Sequence, residues 1–200
     1  MSTVDSGLRA RNLRTLALLG GLFLLPLAIS FWMYYGTDWR PIGRVNHGEL
    51  ISPAKPLPLT SLPSIAPSAA APAELFRQQW SLVYIGNGRC DDACRHTLYV
   101  MRQTRLSLNN EMTRVARVFL ATAECCDRDF LEREHPGLLV LDATGAGAGP
   151  LLGNFPLADR DQSLFIVDPL GNLLMSYDAR QNPQGLLQDL KKLLTLSHIG

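Results

Sequence analysis

An uncharged apolar run near the start of the chain divides it into a membrane part and an aqueous part. Residues 15–35 contain no Asp, Glu, Lys or Arg, and about 20 such residues suffice to cross the hydrocarbon core of a bilayer. Three arginines precede the run and aromatic residues crowd its far end: Arg9, Arg11, Arg14, Phe31, Trp32, Tyr34, Tyr35 and Trp39. By the positive-inside rule we predict a cytoplasmic N-terminus (1–14), a transmembrane anchor (15–35) and a soluble part outside the cytoplasm.

A cleaved signal peptide is the alternative interpretation of this run. The residues Ala28–Ser30 have the small-x-small form of a cleavage site, and cleavage there would leave a mature chain that begins at Phe31. The apolar run continues through Met33, as a stop-transfer segment does. We therefore expect the anchor to be retained.

Residues 36–73 are predicted to form a tether. They are rich in proline, with a Ser/Ala-rich stretch over 64–73, and such composition favours extended chain that cannot bury a core. The first half of this segment has a second interpretation, because it carries polar and aromatic side chains. It could be a docking strand for a membrane partner, anchored by Trp39, Asn46, His47 and Glu49.

The segment 74–200 has the length of one compact domain. Its pattern predicts, in order, a buried strand, a capped helix, a strand, a short helix, a strand, a Gly-rich flexible loop, a hairpin and a last helix. The corresponding residues are 82–85, a helix capped by Asp91 or Asp92, 114–121, 127–134, 138–141, 145–149, 163–167 with 173–177, and a helix capped by Asn182. This order predicts an α/β thioredoxin-like domain, a central sheet flanked by helices, tethered to one N-terminal transmembrane helix.

Two cysteines occupy the position where the first strand meets the first helix of this domain. Cys90 and Cys94 are four residues apart, so they can share a helix face and either close a disulfide or hold one soft ion. The start of a helix also favours thiolate over thiol. Because Asp91, Asp92 and other charged residues surround the pair, we expect that it is not fully buried. The alternative is that both are buried structural cysteines.

A second cysteine pair follows the next predicted strand. Cys125 and Cys126 come after the strand that ends at Ala121. The carboxyl ends of parallel strands meet at one edge of a sheet, so these thiols are candidate partners for Cys90 and Cys94.

Several other function classes lack support. The net charge is +1 and the basic residues are scattered, which gives no electrostatic reason for nucleic-acid binding. The four histidines show no metal-ligand spacing and are predicted to be surface residues: they are His47, His96, His135 and His198. No motif of a Ser/His/Asp hydrolase or of a zinc protease is present.

The cysteine motif and its flanks resemble those of the Sco/SenC family. The resemblance is carried by the stretch from Trp80 to Cys94, with its C-x-x-x-C loop, by the Asp-Pro-x-Gly turn after Phe165, and by the N-terminal anchor. With its Asn46–Ile51 segment, the chain looks most like small Sco-like membrane proteins that accompany oxidase assembly factors in proteobacteria.

This resemblance implies a fold, a place and a chemistry. Sco proteins are membrane-anchored thioredoxin-fold copper chaperones and thiol reductases for the CuA site of cytochrome c oxidase. The implied setting is a single-pass protein of the inner (cytoplasmic) membrane with its C-terminal domain on the periplasmic side. The implied partners are a cytochrome c oxidase subunit or another assembly factor. The implied site is Cys90 and Cys94 as redox pair and Cu(I) ligands, with Cys125 and Cys126 as additional candidate thiols.

The chain departs from the family at the third copper ligand. Sco proteins carry a His in the loop before the final hairpin, and the matching position falls near Arg160, where there is no His. Imidazole suits Cu(II) while thiolates suit Cu(I), so we expect poor Cu(II) binding. The two open functions are a thiol–disulfide oxidoreductase or Cu(I)-handling factor, with Cys90 as nucleophile, and a redox-silent scaffold for oxidase assembly.

Overall fold

The structure, a computed structural model, describes residues 4–37, 46–65, 74–123, 127–197 and 199. Two compact units emerge, residues 1–44 and 45–200. The first is helix α1, Val4–Gly36. Its portion Ala10–Gly36 contains an 18-residue stretch with a mean hydropathy of 2.1 and is long enough to cross a membrane. Its large apolar side chains are exposed, as expected of a segment whose partner is lipid.

The second unit is one mixed sheet with helices. Its strands are β1 Glu49–Pro56, β2 Trp80–Gly86, β3 Val115–Ala121, β4 Leu139–Asp142, β5 Ser163–Val167 and β6 Asn172–Asp178. Its helices are α2 Asp92–Leu106, α3 Arg128–Glu134, α4 Gly149–Leu152 and α5 Pro183–Leu196. The strand order is β1-β6-β5-β2-β3-β4, with β2, β3 and β4 parallel and the other pairs antiparallel. The predicted thioredoxin-like fold is confirmed.

The sheet has a hydrophobic core on each face. Every residue of β2 is buried, because alternate side chains enter opposite cores and both faces are covered. Leu82 and Tyr84 pack with residues of α2 and α5 on one face. Val83 and Ile85 pack on the other with residues that precede β2 and with α4.

Local signals explain the helix starts. The side chain of Asp91 accepts a hydrogen bond from the backbone N–H of Cys94 at 3.0 Å, and that of Asp127 accepts one from Phe130 at 3.0 Å. Asn182 caps α5 in the same way, with Pro183 in its first turn. Such caps satisfy backbone donors that the helix itself leaves unpaired.

The predicted tether is partly wrong. Residues Glu49–Pro56 form the edge strand β1 against β6, and Leu57 and Leu62 are buried in the core. The folded domain therefore includes chain well before residue 74. The proline-rich composition predicted a tether, but it is also compatible with an edge strand, because an edge strand tolerates proline. The alternative, a docking strand for a membrane partner, stays a prediction: residues 49–56 pair with this protein's own β6, and Trp39 lies outside the described residues.

Two smaller predictions also differ from the structure. The Gly-rich stretch 145–149 is a 3₁₀ turn that leads into α4, rather than a flexible loop. His135, predicted to be a surface residue, is 5% exposed, and its ring packs edge-on against that of Phe130. His96 is exposed as predicted, and His198 lies outside the described residues.

Candidate functional site: a disulfide at the start of helix α2

Strand β2 and helix α2 together place the cysteine pair. β2 ends at Gly86 and α2 begins at Asp92, so Cys90 lies in the connection and Cys94 in the first turn. Cys90 has a φ of +46°, in the left-handed region that costs a non-glycine residue about 1 kcal/mol. Cys90 thus lies outside the helix, although the sequence left open that it enters the first turn.

Cys90 and Cys94 are joined by a disulfide with a Cα–Cα distance of 4.9 Å. That separation lies within the ordinary range for disulfides. The four-residue spacing is therefore sufficient for the two sulfurs to meet at this helix start. Of the two arrangements that the spacing allows, a disulfide or a shared soft ion, the structure adopts the disulfide.

The expected exposure of the pair is wrong. Cys90 is 3% exposed and Cys94 is 1% exposed. Both belong to the core cluster that contains Leu82, Tyr84 and Leu98. The charged neighbours did not prevent burial because a helix start can point its charged side chains outward while the sulfurs face the sheet.

The charged residues around the pair have distinct partners. Asp91 caps α2 through the N–H of Cys94. Arg95 lies 4.0 Å from the carboxylate of Asp127, and its guanidinium lies over the ring of Phe130 at 4.3 Å, a cation–π contact. The Asp91 carboxylate therefore caps the start of α2, whereas the Arg95 guanidinium contacts Asp127 and Phe130 at the start of α3.

Tyr84 connects the pair to the turn Arg160–Gln162. Its hydroxyl donates a hydrogen bond to the backbone oxygen of Asp161 at 2.9 Å. Burial raises the pKa of Tyr84, and the charges of Asp91 and Asp161 raise it further. Tyr84 is therefore a neutral phenol at physiological pH, and the negative charge of Asp91 acts close to the core that holds the disulfide.

Arg160 is a structural residue in this chain. Its guanidinium donates hydrogen bonds to the backbone oxygens of Pro156 at 3.0 Å, Leu152 at 3.0 Å and Phe155 at 2.8 Å. A guanidinium carries donors only and stays protonated, so it cannot ligate a metal. The position that the family resemblance assigns to a ligating His therefore closes the loop after α4 instead.

Two further predicted site residues follow strand β3. Cys125 and Cys126 lie outside the described residues, although β2 and β3 are parallel with Gly86 opposite Ala121, as the candidate role requires. Within the described ranges, no three His, Cys, Asp or Glu side chains are grouped so as to hold a metal ion. In its reduced form the pair would offer two soft thiolates, a donor set that fits Cu(I).

Sequence reasoning missed a polar cluster around Asp189 of helix α5. The buried carboxylate of Asp189 accepts hydrogen bonds from the backbone N–H groups of His47 and Gly48 and from the hydroxyl of Tyr177. His47 Nδ1 lies 3.1 Å from the same carboxylate. His47 and Asp189 are 142 residues apart, so no spacing in the sequence could have joined them.

This disulfide at a strand-to-helix junction, within a mixed sheet flanked by helices, defines a thioredoxin-fold domain. A family model described as transmembrane-like, thioredoxin-like, C-terminal domain matches residues 80–197. The chain belongs to this family. The description and the apolar helix α1 both indicate membrane anchoring. No curated protein sequence matches the chain.

Solved structures of Sco proteins share the fold. Apo Sco1 from Thermus thermophilus is 19% identical, with a TM-score of 0.54 over 78% of this chain and 98% of that chain. Copper-bound yeast Sco1 is 15% identical, with a TM-score of 0.53 over 61% and 82%. BsSco, a Sco-family cytochrome c oxidase assembly protein with a disulfide switch, is 15% identical, with a TM-score of 0.52 over 74% and 99%. The predicted Sco-like fold is confirmed.

Proposed function

We propose that this protein is a membrane-anchored thiol–disulfide exchange factor for cytochrome c oxidase assembly, and that Cys90 and Cys94 are its redox pair. The disulfide between them carries the proposal. The family membership and the Sco-like fold support the assembly context. The proposed setting is the inner membrane with the domain on the periplasmic side, where thiols can be oxidised.

The exchange step transfers two electrons between two cysteine pairs. In the reduced protein, the Cys90 thiolate attacks a client disulfide and forms a mixed disulfide, and the departing client sulfur takes up a proton. The Cys94 thiol then loses its proton and its sulfur attacks Cys90. The client leaves as a dithiol and the Cys90–Cys94 bond forms. The same steps in reverse oxidise a client dithiol.

We assign the two sulfurs to different steps by their positions at the helix start. Cys90 precedes α2 and is proposed to meet the client, while Cys94, in the first turn of α2, is proposed to resolve the mixed disulfide. Both are buried. The low exposure of both sulfurs means that a client must displace the chain around Cys90, which restricts exchange to partners that bind this surface.

A trapping experiment tests the proposal. The Cys94→Ser protein, in its native membrane, should accumulate a mixed disulfide between Cys90 and an oxidase subunit or assembly factor, seen on non-reducing gels and identified by mass spectrometry. The Cys90→Ser protein is the matched control and should trap nothing. If Cys94→Ser captures no client while the double Cys→Ser protein still supports oxidase assembly, the redox function is wrong and the scaffold function holds.

Cu(I) handling by the same pair is a second candidate function. Its support is the soft dithiolate that reduction would expose and the Sco-like fold, which copper-bound yeast Sco1 shares. We expect Cu(I) binding by the reduced full-length protein that is weak, lost in Cys90→Ser, and reduced in Cys125→Ser/Cys126→Ser only if those thiols contribute. Equal Cu(I) affinity in Cys90→Ser and the parent would exclude the pair as the copper site.

A further inference from the structure

We propose that the domain binds a small monovalent anion, such as chloride, between Arg117 and His135 at the amino-terminal edge of its parallel strands. Arg117 lies near the start of β3, and His135 ends α3 just before β4. Cys90, in contrast, follows the carboxyl end of β2. The proposed anion site is therefore separate from the disulfide and independent of the proposed redox function.

Two buried side chains at this edge have nitrogen atoms without a hydrogen-bond partner. Arg117 is 4% exposed and His135 is 5% exposed. Within the described residues, no atom pairs with Nε or Nη1 of Arg117 or with Nδ1 of His135. Buried polar groups in native proteins nearly always have a partner, so these nitrogens indicate an acceptor that the described chain does not supply.

The two side chains lie in one place. The Nη2 atom of Arg117 donates a hydrogen bond to the backbone oxygen of Pro136, the residue after His135, at 2.6 Å. Burial and then the charges of Arg117 and Arg102 lower the pKa of His135 to about 4, which agrees with a cation beside a neutral imidazole. Pro136 is itself exposed, so the pair lies close beneath the surface.

The charges around the pair are mainly positive. Burial and then the charges of Arg105 and Arg102 lower the pKa of Arg117 to about 10, so its guanidinium is still a cation at neutral pH. Glu134, the carboxylate that acts on His135, is exposed. None of the ion pairs between described residues includes these three arginines. Buried charges are normally paired, and the partner that this cluster requires is negative.

A further buried donor lies on the same face of the sheet. Trp80 is 4% exposed, and its indole Nε1 has no partner in the described part of the chain. Trp80 is opposite Val115 and Leu82 is opposite Arg117, so Trp80 and Arg117 point to the same side of adjacent strands.

The chemistry of these groups favours an anion over a water molecule. Indole and guanidinium nitrogens are hydrogen-bond donors only, so they require an acceptor. Chloride accepts several hydrogen bonds and also carries the negative charge, whereas water supplies acceptors without charge. The ion must be small, because the donors are almost fully buried.

Thermal unfolding of the full-length protein in non-ionic detergent micelles tests the site. Sodium chloride is raised from about 10 to about 300 mM, and sodium gluconate, whose anion is too large to enter, keeps the ionic strength constant. An anion that binds only the folded state stabilises it. For a Kd of about 20 mM, we expect the parent's melting temperature to rise by about 3–5 °C, which corresponds to a shift of about tenfold in the folding equilibrium.

Two variants separate the site from general salt effects. Arg117→Met removes the central donor and should lose the chloride response. In gluconate alone it should melt above the parent, because it lacks a buried, unpaired charge. The matched control is Arg133→Met, which removes an exposed guanidinium from α3 and should keep the full response.

The NMR line width of chloride gives a second readout that needs no unfolding. The parent and Arg133→Met should broaden the chloride line, and added bromide, which is similar in size, should reverse the broadening. His135→Phe, which removes one of the unpartnered nitrogens, should broaden the line less than the parent does and serves if Arg117→Met does not fold.

Three results would overturn the proposal. The first is a parent that shows neither chloride-dependent melting nor line broadening, because water alone would then satisfy the donors. The second is an equal chloride response in Arg117→Met and the parent. The third is chloride broadening by folded His135→Phe that equals that of the parent.

Discussion

The hydroxyl of Tyr177 donates a 2.7 Å hydrogen bond to the buried carboxylate of Asp189. This bond links strand β6 to helix α5, and the same carboxylate binds the N–H groups of His47 and Gly48 just before β1. Burial alone would raise the pKa of Asp189, but the hydrogen bonds from Tyr177, His47 and Gly48 lower it. The Asp189 carboxylate therefore links the backbone of residues 47–48, just before β1, to helix α5.

Asp189→Ala should destabilise the domain by about 3 kcal/mol, because it leaves buried donors from Tyr177 and the 47–48 backbone unpaired. Thermal unfolding of the full-length protein in micelles measures this, with exposed Glu132→Ala as control, expected to change stability by less than about 0.5 kcal/mol. The stabilisation is present above the carboxyl's unfolded pKa and is lost as pH falls through its lower folded pKa. Equal melting of the two variants would contradict the assignment.

Gly48→Ala should destabilise the domain by about 1–3 kcal/mol, since an added Cβ would overlap the ring of Tyr177. The ring would have to shift, which would disturb the hydrogen bond from its hydroxyl to Asp189. Gly145→Ala is the matched control, because nothing lies within 4 Å of its added Cβ. Urea unfolding of both variants checks this, and a Gly48→Ala protein as stable as Gly145→Ala would show that the ring is not held in place.

The buried His135 should make stability depend on pH between about 6.5 and 4. Burial lowers the pKa of His135 to about 4, with the charges of Arg117 and Arg102 acting in the same direction. Between these two pH values the unfolded state therefore binds a proton at the imidazole, and the folded state does not. The contribution of His135 to the free energy of unfolding is fully present above the unfolded pKa of about 6.5. It falls as pH drops toward 4, by about 3 kcal/mol in total.

The measurement is the free energy of unfolding from pH 7.5 to 4 for the parent and for His135→Phe. The variant keeps an aromatic ring against Phe130, whose centroid lies 5.2 Å from that of His135, and removes the titrating group. We expect a shallower pH slope in the variant, and identical slopes would refute the prediction.

Arg117→Met should stabilise the domain by about 1–3 kcal/mol, as when other buried charges are replaced by apolar residues of similar volume. Arg117 is 4% exposed, and its Nη2 donates to the Pro136 oxygen at 2.6 Å. Its Nε and Nη1 have no partner within the described part of the chain. Denaturant melts of Arg117→Met and of the more exposed Arg102→Met compare the two sites. A loss of stability in Arg117→Met would mean that its guanidinium has a partner after all.

Much of the fold could be predicted because local chemistry decides it. Asp91 and Asn182 cap helices by contacts within three residues, and the turn at Asp168 closes its hairpin in the same local way. The burial of β2 and β3 on both faces is likewise indicated by their near-continuous apolar runs. The disulfide between Cys90 and Cys94 belongs to this group, because four residues suffice to bring the sulfurs together.

The rest depended on contacts between distant residues. Strand β1 could not be predicted from its proline-rich segment, because its partner β6 lies more than a hundred residues later in the chain. The burial of Cys90 and Cys94 depends on the core cluster that they share with residues of the sheet and of α5. Sequence by itself determined the anchor-like helix, the thioredoxin order and the disulfide, since each follows from neighbours along the chain. Only tertiary structure decided that Asp189 binds His47 and that Arg117 and His135 are buried, because burial is a property of the whole packed domain.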